Sequence, residues 1–266
     1  MERKVPRFGV LTNSLFDTLD EIREIGEMGF DFVEIGFEPP FGLPEILLKK
    51  KRDILDALRK YDMSAIAHTS WWYDLGSLHE KVRKAWVEEG KVAIDAARQL
   101  GIRTVNFHSG SFGMSMQVEK AKKMVFDNMV RSLRELTSYG KKRGIAVMLE
   151  NMPEKGVVRL DDFRYIADRV SSLWVHLDVG HAFIAGGNDE VAKYIRVFRD
   201  RILHIHLHDN HGVHDEHLPI GVASLDYRRL ASELKKIGYG NTITFEVFTP
   251  DRDYCRISME KMKSLW

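Results

Sequence analysis

Six short apolar runs in succession end in a side chain able to bind a metal ion. They are His68 in SAIAHT, His108 in TVNFH, Glu150 in AVMLEN, Asp178 in LWVHLDV, His206 in ILHIHLH and Glu246 in TITFEVF. A single histidine at the end of such a run is commonly a hydrogen-bonded structural residue. Six in a row are harder to explain that way, because gathering carboxylates and imidazoles out of water is costly unless something binds them. Eight of the eleven histidines fall between His176 and His217. Imidazole and carboxylate donors without thiolates suit Zn, Mn, Co or Fe. Glu150, Asp178, His206 and Glu246 are enough for one ion. His181, three residues after Asp178, and the pair Asp215 and His217 add further donors. With His68 and His108 they make a set of nine, more than one ion can use, so one to three divalent ions are expected if a carboxylate bridges.

These residues need a scaffold that brings them to one place. Eight β-rich runs, at 7–12, 31–37, 64–69, 104–108, 146–151, 173–179, 202–208 and 242–248, alternate with helical patterns near 17–28, 44–62, 80–100, 118–142, 160–169, 189–199, 226–237 and 254–264. Gly29, Gly101, Gly144 and Gly238 each follow a helical run, as a C-terminal cap does. Eight strand–helix units with short connections predict an α/β chain folded as a (β/α)8 TIM barrel, one domain over residues 1–266. A doubly wound open sheet is the alternative, but it usually has fewer strands, and no Gly-rich phosphate loop follows the first run. In such a barrel the carboxyl ends of the strands carry the function. The phase agrees: Met148 with Glu150, His176 with Asp178, and Thr244 with Glu246 share a face. His204, His206 and His208 also share one, and only the residue nearest the mouth is expected to join the site easily. His181 is expected on the loop after strand six.

Composition narrows the function. Apolar residues make up 44% of the 266 and charged residues 30%, enough for one sizeable core and unlike a disordered chain. Lys plus Arg (40) nearly balances Asp plus Glu (39), so a generally basic nucleic-acid binder is not indicated. One cysteine, Cys255, excludes an intrachain disulfide and any multi-cysteine zinc site, which predicts a reducing compartment, the cytoplasm. No apolar window approaches ~18 residues, and MERKVPRFGVLTNSLFD lacks a signal-peptide core, so neither a membrane span nor secretion is expected.

The segments IAHTS, VNFHSG, MLENMP, LDVGHAFIAGG, HIHLHDNHG, DEHLPIG and TFEVF together resemble the xylose-isomerase-like barrel superfamily, which unites sugar isomerases and epimerases with endonuclease IV. The resemblance spans nearly the whole chain. By it, His68 and His108 would hold one ion with Glu150 bridging to a second. Asp178, His206 and Glu246 would complete the second, and His181, Asp215 and His217 would hold a third. The sugar epimerases of the superfamily need one ion, on the equivalents of Glu150, Asp178, His206 and Glu246. This sequence has ENMPEKG where the endonuclease usually has ENTAG, and HLHDNHG lacks the endonuclease's lysine. HLHDN followed by DEHLPIG is similar to the sugar phosphate isomerase/epimerase group, although Gly221 is followed by Val222 and Ala223 where that group often has a second glycine.

Two activities follow from the resemblance. The first is a metal-dependent sugar or sugar phosphate isomerase or epimerase working through an enediolate, with Glu150 and Glu246 removing and returning a proton, and His181 or His217 holding a hydroxyl or phosphate. The second is a zinc phosphodiesterase cleaving DNA at abasic sites. Trp71 and Trp72 would be a lid over a small substrate in the first and a wedge stacking into the gapped duplex in the second. The sugar reading ranks first, on the strand-seven loop. A binding protein without catalysis is disfavoured, because every ligand position is filled. Lys155, Arg103 and Arg201 are candidates for phosphate contacts, with surface salt bridging the plainer role. The expected partners are a small sugar or sugar phosphate, DNA under the second reading, no membrane, and a second copy of the chain if it forms a homo-oligomer.

Overall fold

The computed structural model describes residues 5–110, 118–152 and 159–266. Eight parallel strands close into a barrel in chain order: β1 (Arg7–Leu11), β2 (Phe32–Phe37), β3 (Ser64–Thr69), β4 (Thr104–His108), β5 (Ala146–Glu150), β6 (Trp174–Asp178), β7 (Ile202–Leu207) and β8 (Thr242–Phe245). β8 pairs with β1 to complete the ring. The helices are α1 (Thr18–Glu27), α2 (Pro44–Lys49), α3 (Lys51–Lys60), α4 (Glu80–Gln99), α5 (Glu119–Lys141), α6 (Leu160–Ala167), α7 (Val179–Val197), α8 (Tyr227–Lys236) and α9 (Asp253–Lys263). The chain is a (β/α)8 TIM barrel, as its alternating pattern predicts.

The two faces of each strand explain the sequence. Outward residues such as Val33, Ile35, Val105, Phe107, Val147, Leu149, Leu177, Ile205 and Phe245 are buried in the main apolar core. A barrel interior is ordinarily filled by bulky branched side chains. Here Phe32, Ile66 and Met148 form only a small separate apolar cluster. Glu34, Asn106, His176, His204, His206 and Thr244 are also fully buried, all at 0% exposure. Apart from that small cluster, the barrel is filled with groups that demand partners.

Two helical expectations need correction. The pattern at 44–62 is two helices, α2 and α3, which meet at Lys50. The pattern at 189–199 is the second half of α7, which starts directly after β6 at Val179. His181 therefore sits in the first helical turn, not on a loop. Asp178 caps that turn, its side chain accepting from the His181 amide at 2.7 Å. Gly186 and Gly187 break the helical conformation inside α7, which hides its first turns from a reading of periodicity. At Gly101 and Gly238 the backbone takes φ of 75° and 68°, as the capping pattern requires.

Candidate metal centre

The strand register delivers the donors to one end of the barrel. His108 lies beside Glu150, Glu150 beside His176, and Asp178 beside His206. Glu246 follows β8 directly, its amide donating to Leu207 O. Asn151 clamps Asp178 from both sides: its Nδ2 donates to Asp178 O and its Oδ1 accepts from Asp178 N, each at 2.9 Å. The loop after β7 is folded back by Asp209, whose carboxylate accepts from the amides of Gly221, Ala223 and Leu225, all at 2.9 Å. Asp209 also pairs with Leu218 by backbone bonds, which brings Asp215 and His217 over the mouth.

All nine expected donors lie in three adjoining groups. In the first, His68 Nε2 and His108 Nε2 are 3.2 Å apart, and Glu150 Oε2 is 3.4 and 3.2 Å from them. In the second, His206 Nδ1 faces three carboxylates: Glu246 Oε2 at 3.0 Å, Asp178 Oδ2 at 3.7 Å and Glu150 Oε1 at 3.8 Å. In the third, Asp215 Oδ2 is 3.1 Å from both His181 Nε2 and His217 Nε2.

The charges are strongly coupled. Burial would raise the Glu150 carboxyl, but His176, His108 and His206 hold it well below the usual range. Burial likewise works against Glu246, yet His206 and His217 bring it down to about 2. Burial pushes the His206 imidazole down, and Glu34, Glu246 and Glu150 outweigh it and hold it well above its ordinary value. His181 and His217 follow the same logic: burial is overcome by Asp178 and Asp215 for His181, at about 10, and by Glu246 and Asp215 for His217, at about 9. In the absence of an ion, protons on these imidazoles neutralise the carboxylates.

The donor set fits a divalent cation. Asp178 Oδ2 is buried without a hydrogen-bond partner. Two imidazole nitrogens facing each other at 3.2 Å beside a carboxylate can converge on one ion. The outer histidines have the outward support typical of metal ligands, since His181 Nδ1 donates to Asn151 O at 2.7 Å and His217 Nδ1 to Glu246 O at 3.0 Å.

Above the donors opens a cavity of about 460 Å³. His68, His108, Glu150, His181, Asp215, His217 and Glu246 reach it, and Leu11, Trp71, Met152 and Phe248 give it an apolar rim. Trp71 is 47% exposed there. Trp72 instead packs against the main core and meets Trp71 edge-on at 5.6 Å. Arg201 is tied to the carbonyls of Ala167 and Leu173. Arg103 lines a different cavity, beside Arg7, Ser64 and Thr242 at the amino ends of the strands. Lys155 and most of the ENMPEKG segment lie outside the described residues.

Three buried residues that the sequence reading did not count as donors join the site. Glu34 Oε2 accepts from His204 Nε2 and His206 Nε2, both at 2.9 Å. His176 Nδ1 is 3.2 Å from Glu150 Oε2. His208 Nε2 is 3.4 Å from Asp178 Oδ1 and from Asp215 Oδ1. The available signal for Glu34 was a lone carboxylate inside the apolar strand FVEIGF. For His176 and His208 it was a shared face with Asp178 and His206.

The chain belongs to the xylose isomerase-like TIM barrel family, whose model matches residues 22–265. An uncharacterized protein of Methanocaldococcus jannaschii is 31% identical over 254 residues, 90% of this chain and 83% of that protein. The fructoselysine 3-epimerase of Shigella flexneri is 23% identical over 257 residues, 91% of each chain. The crystal structure of a D-tagatose 3-epimerase-like protein superposes with a TM-score of 0.85 at 26% identity, over 97% of this chain and 96% of that one. A probable endonuclease 4 of a Thermotoga species is 27% identical over 184 residues, 64% of this chain and 60% of that protein.

Proposed function

We propose that this protein is a divalent-metal-dependent sugar isomerase or epimerase that works through an enediolate. The observation that carries this reading is the convergence of Glu150, Asp178 and Glu246 on His206 Nδ1 beneath the cavity. These four residues would hold the ion, and Zn, Mn and Co all suit such oxygen and nitrogen donors. When bound, the ion polarises a sugar carbonyl and lowers the cost of developing negative charge on its oxygen.

The chain's own residues do the rest. Glu150 and Glu246 come from strands that are not neighbours, β5 and β8, and so stand on two sides of the donor cluster. One carboxylate removes the proton from the carbon beside the carbonyl, and the other returns a proton to the opposite face. The surrounding imidazoles hold both ionised before reaction, which suits the one that abstracts the proton; the one that returns a proton must first take it from a neighbouring imidazole. Trp71, Leu11 and Phe248 provide the apolar surface against which a sugar ring or chain lies, and they limit water near the reacting carbon. His181 and His217 line the same cavity, with Nδ1 of each bonded to a backbone carbonyl and Nε2 facing Asp215. Similarity to the fructoselysine and D-tagatose-like 3-epimerases supports epimerisation next to a ketose carbonyl.

A second reading has its own observation: the nine donors form three groups, an arrangement suited to three zinc ions in a phosphodiesterase acting on abasic DNA. One experiment separates the two. Metal-loaded protein is incubated with ketoses in deuterated water and, in parallel, with an abasic duplex. Deuterium incorporated at the carbon next to the carbonyl, without strand cleavage, is the expected result. Cleavage without exchange reverses the ranking.

A further inference from the structure

The outermost donors contain one residue more than the sequence resemblance implied. Asp215, His181 and His217 are joined there by His208, and the donor atoms of these four lie within 4.8 Å of one another. The Nδ1–H groups of His181 and His217 are both committed to backbone carbonyls, which only accept. In the neutral rings each Nε2 therefore carries a lone pair, and both lone pairs face the same carboxylate oxygen, Asp215 Oδ2, at 3.1 Å. In the ion-free chain a proton on each ring satisfies this contact, and a cation seated among the three atoms would take the place of both protons.

His208 completes the picture from the other side. Its ring is fully buried, and neither nitrogen has a hydrogen-bond partner. Its Nε2 is 3.4 Å from Asp215 Oδ1, and the ring stacks on His217 with centroids 4.2 Å apart. Room for it exists only because residue 180 is glycine. A Cβ there would lie 2.0 Å from His208 Cε1 and 2.3 Å from Nε2. Bonds of ~2.0–2.1 Å in a tetrahedral site put neighbouring donors ~3.3 Å apart; here His181 and His217 lie 3.1 Å from Asp215 Oδ2, and His208 lies 3.4 Å from the other oxygen, Oδ1.

We propose that His208 is the fourth protein donor, with His181, Asp215 and His217, to a second ion at the barrel mouth, and that this site is closed. Closed four-donor sites are structural, whereas catalytic sites keep a position open for water or substrate. The mouth ion would tie the first turn of α7 to the end of β7 and to the loop that carries Asp215 and His217. It would shape the wall of the cavity without taking substrate. This goes beyond the sugar reading and does not depend on it, since the donors of the inner ion are a different set.

The test uses the full chain loaded with Zn2+ or Co2+ and dialysed against graded chelator. Two classes of ion are expected, the closed site keeping its ion at chelator concentrations that empty the open one. X-ray absorption of protein holding only the tight class should show three imidazoles and no water on the ion. Two imidazoles, or a bound water, would overturn the proposal, and that measurement needs no variant. His208→Ala should weaken the tight class by more than the ~10–100-fold typical of losing an outer-shell partner. Gly180→Ala, which displaces the His208 ring and removes no donor, should weaken it too. Retention of the tight class and of four-coordinate Co2+ absorption in a folded His208→Ala protein would show that His208 merely neighbours Asp178. Loss of sugar exchange with the tight class intact would count against the sugar reading alone.

Discussion

Glu34 Oε2 accepts a hydrogen bond from His206 Nε2 at 2.9 Å, across the barrel from β2 to β7. The same oxygen accepts from His204 Nε2 at 2.9 Å and from Thr244 Oγ1 at 2.6 Å, while Oε1 has no partner. Burial would raise this carboxyl, but His206 and His204 hold it well below the usual range. With Nε2 committed to Glu34, Nδ1 is the His206 nitrogen that faces Glu150, Asp178 and Glu246. Glu34→Gln should therefore leave the barrel folded and weaken the inner ion by ~10–100-fold, the range seen when a supporting group behind a ligand is lost. Competition with a chromophoric chelator measures this, and unchanged affinity would reduce Glu34 to a packing role.

Glu246→Gln keeps the shape of the side chain and removes its charge and most of its basicity. The loss of a general base alone is worth about 10²–10⁴ in rate, and weaker ion binding adds to it. Solvent deuterium exchange into the substrate should fall by at least that factor at saturating metal. Near-normal exchange would remove β8 from the reaction.

Stripping metal should lower thermal stability, because an ion that binds only the folded chain stabilises it by mass action, ~2.7 kcal/mol at a hundredfold excess over Kd. Chelated protein should melt at a lower temperature and recover on adding Zn2+ or Mn2+. A melting temperature indifferent to both, in protein shown by elemental analysis to stay metal-free, would contradict a metal centre.

Ion-free protein should also lose stability as pH rises from 7 to 10. The imidazoles of His217 and His181 stand at about 9 and about 10, raised from 6.5. A raised folded-state value contributes stability in full below the unfolded value and loses it as pH climbs through the folded one. Metal binding must displace these protons, so affinity at the mouth runs the opposite way and increases over the same window. Urea unfolding of chelated protein at several pH values tests the first sign, and metal titration tests the second.

Trp71→Ala removes the exposed aromatic on the cavity rim without touching a metal donor. It should raise KM for a ketose while leaving metal content and melting temperature nearly unchanged. A drop in metal content would mean that Trp71 supports the donors rather than the substrate.

Much of this protein is legible in one dimension. Strand phase has a period of two, so the runs ending at His68, His108, Glu150, Asp178, His206 and Glu246 already place like-facing donors at the carboxyl ends of six strands. The eight strands fall within three residues of their expected limits, because apolar β-rich runs are bounded by polar turns and capping glycines. What the sequence leaves open depends on how the barrel closes. Glu34 meets His206 from 172 positions away, and only the stagger of β2 against β7 decides that they touch. His208 gains its place from the missing Cβ of Gly180 on another element. His181 belongs to a helix because a cap by Asp178, itself clamped by Asn151, starts α7 at Val179, nearly three turns before the position its periodicity shows. Trp71 and Trp72 are adjacent in sequence, yet one reaches the cavity and the other the core. Residue types and local period write the donor set into the chain, whereas cross-barrel distances exist only once the ring is closed.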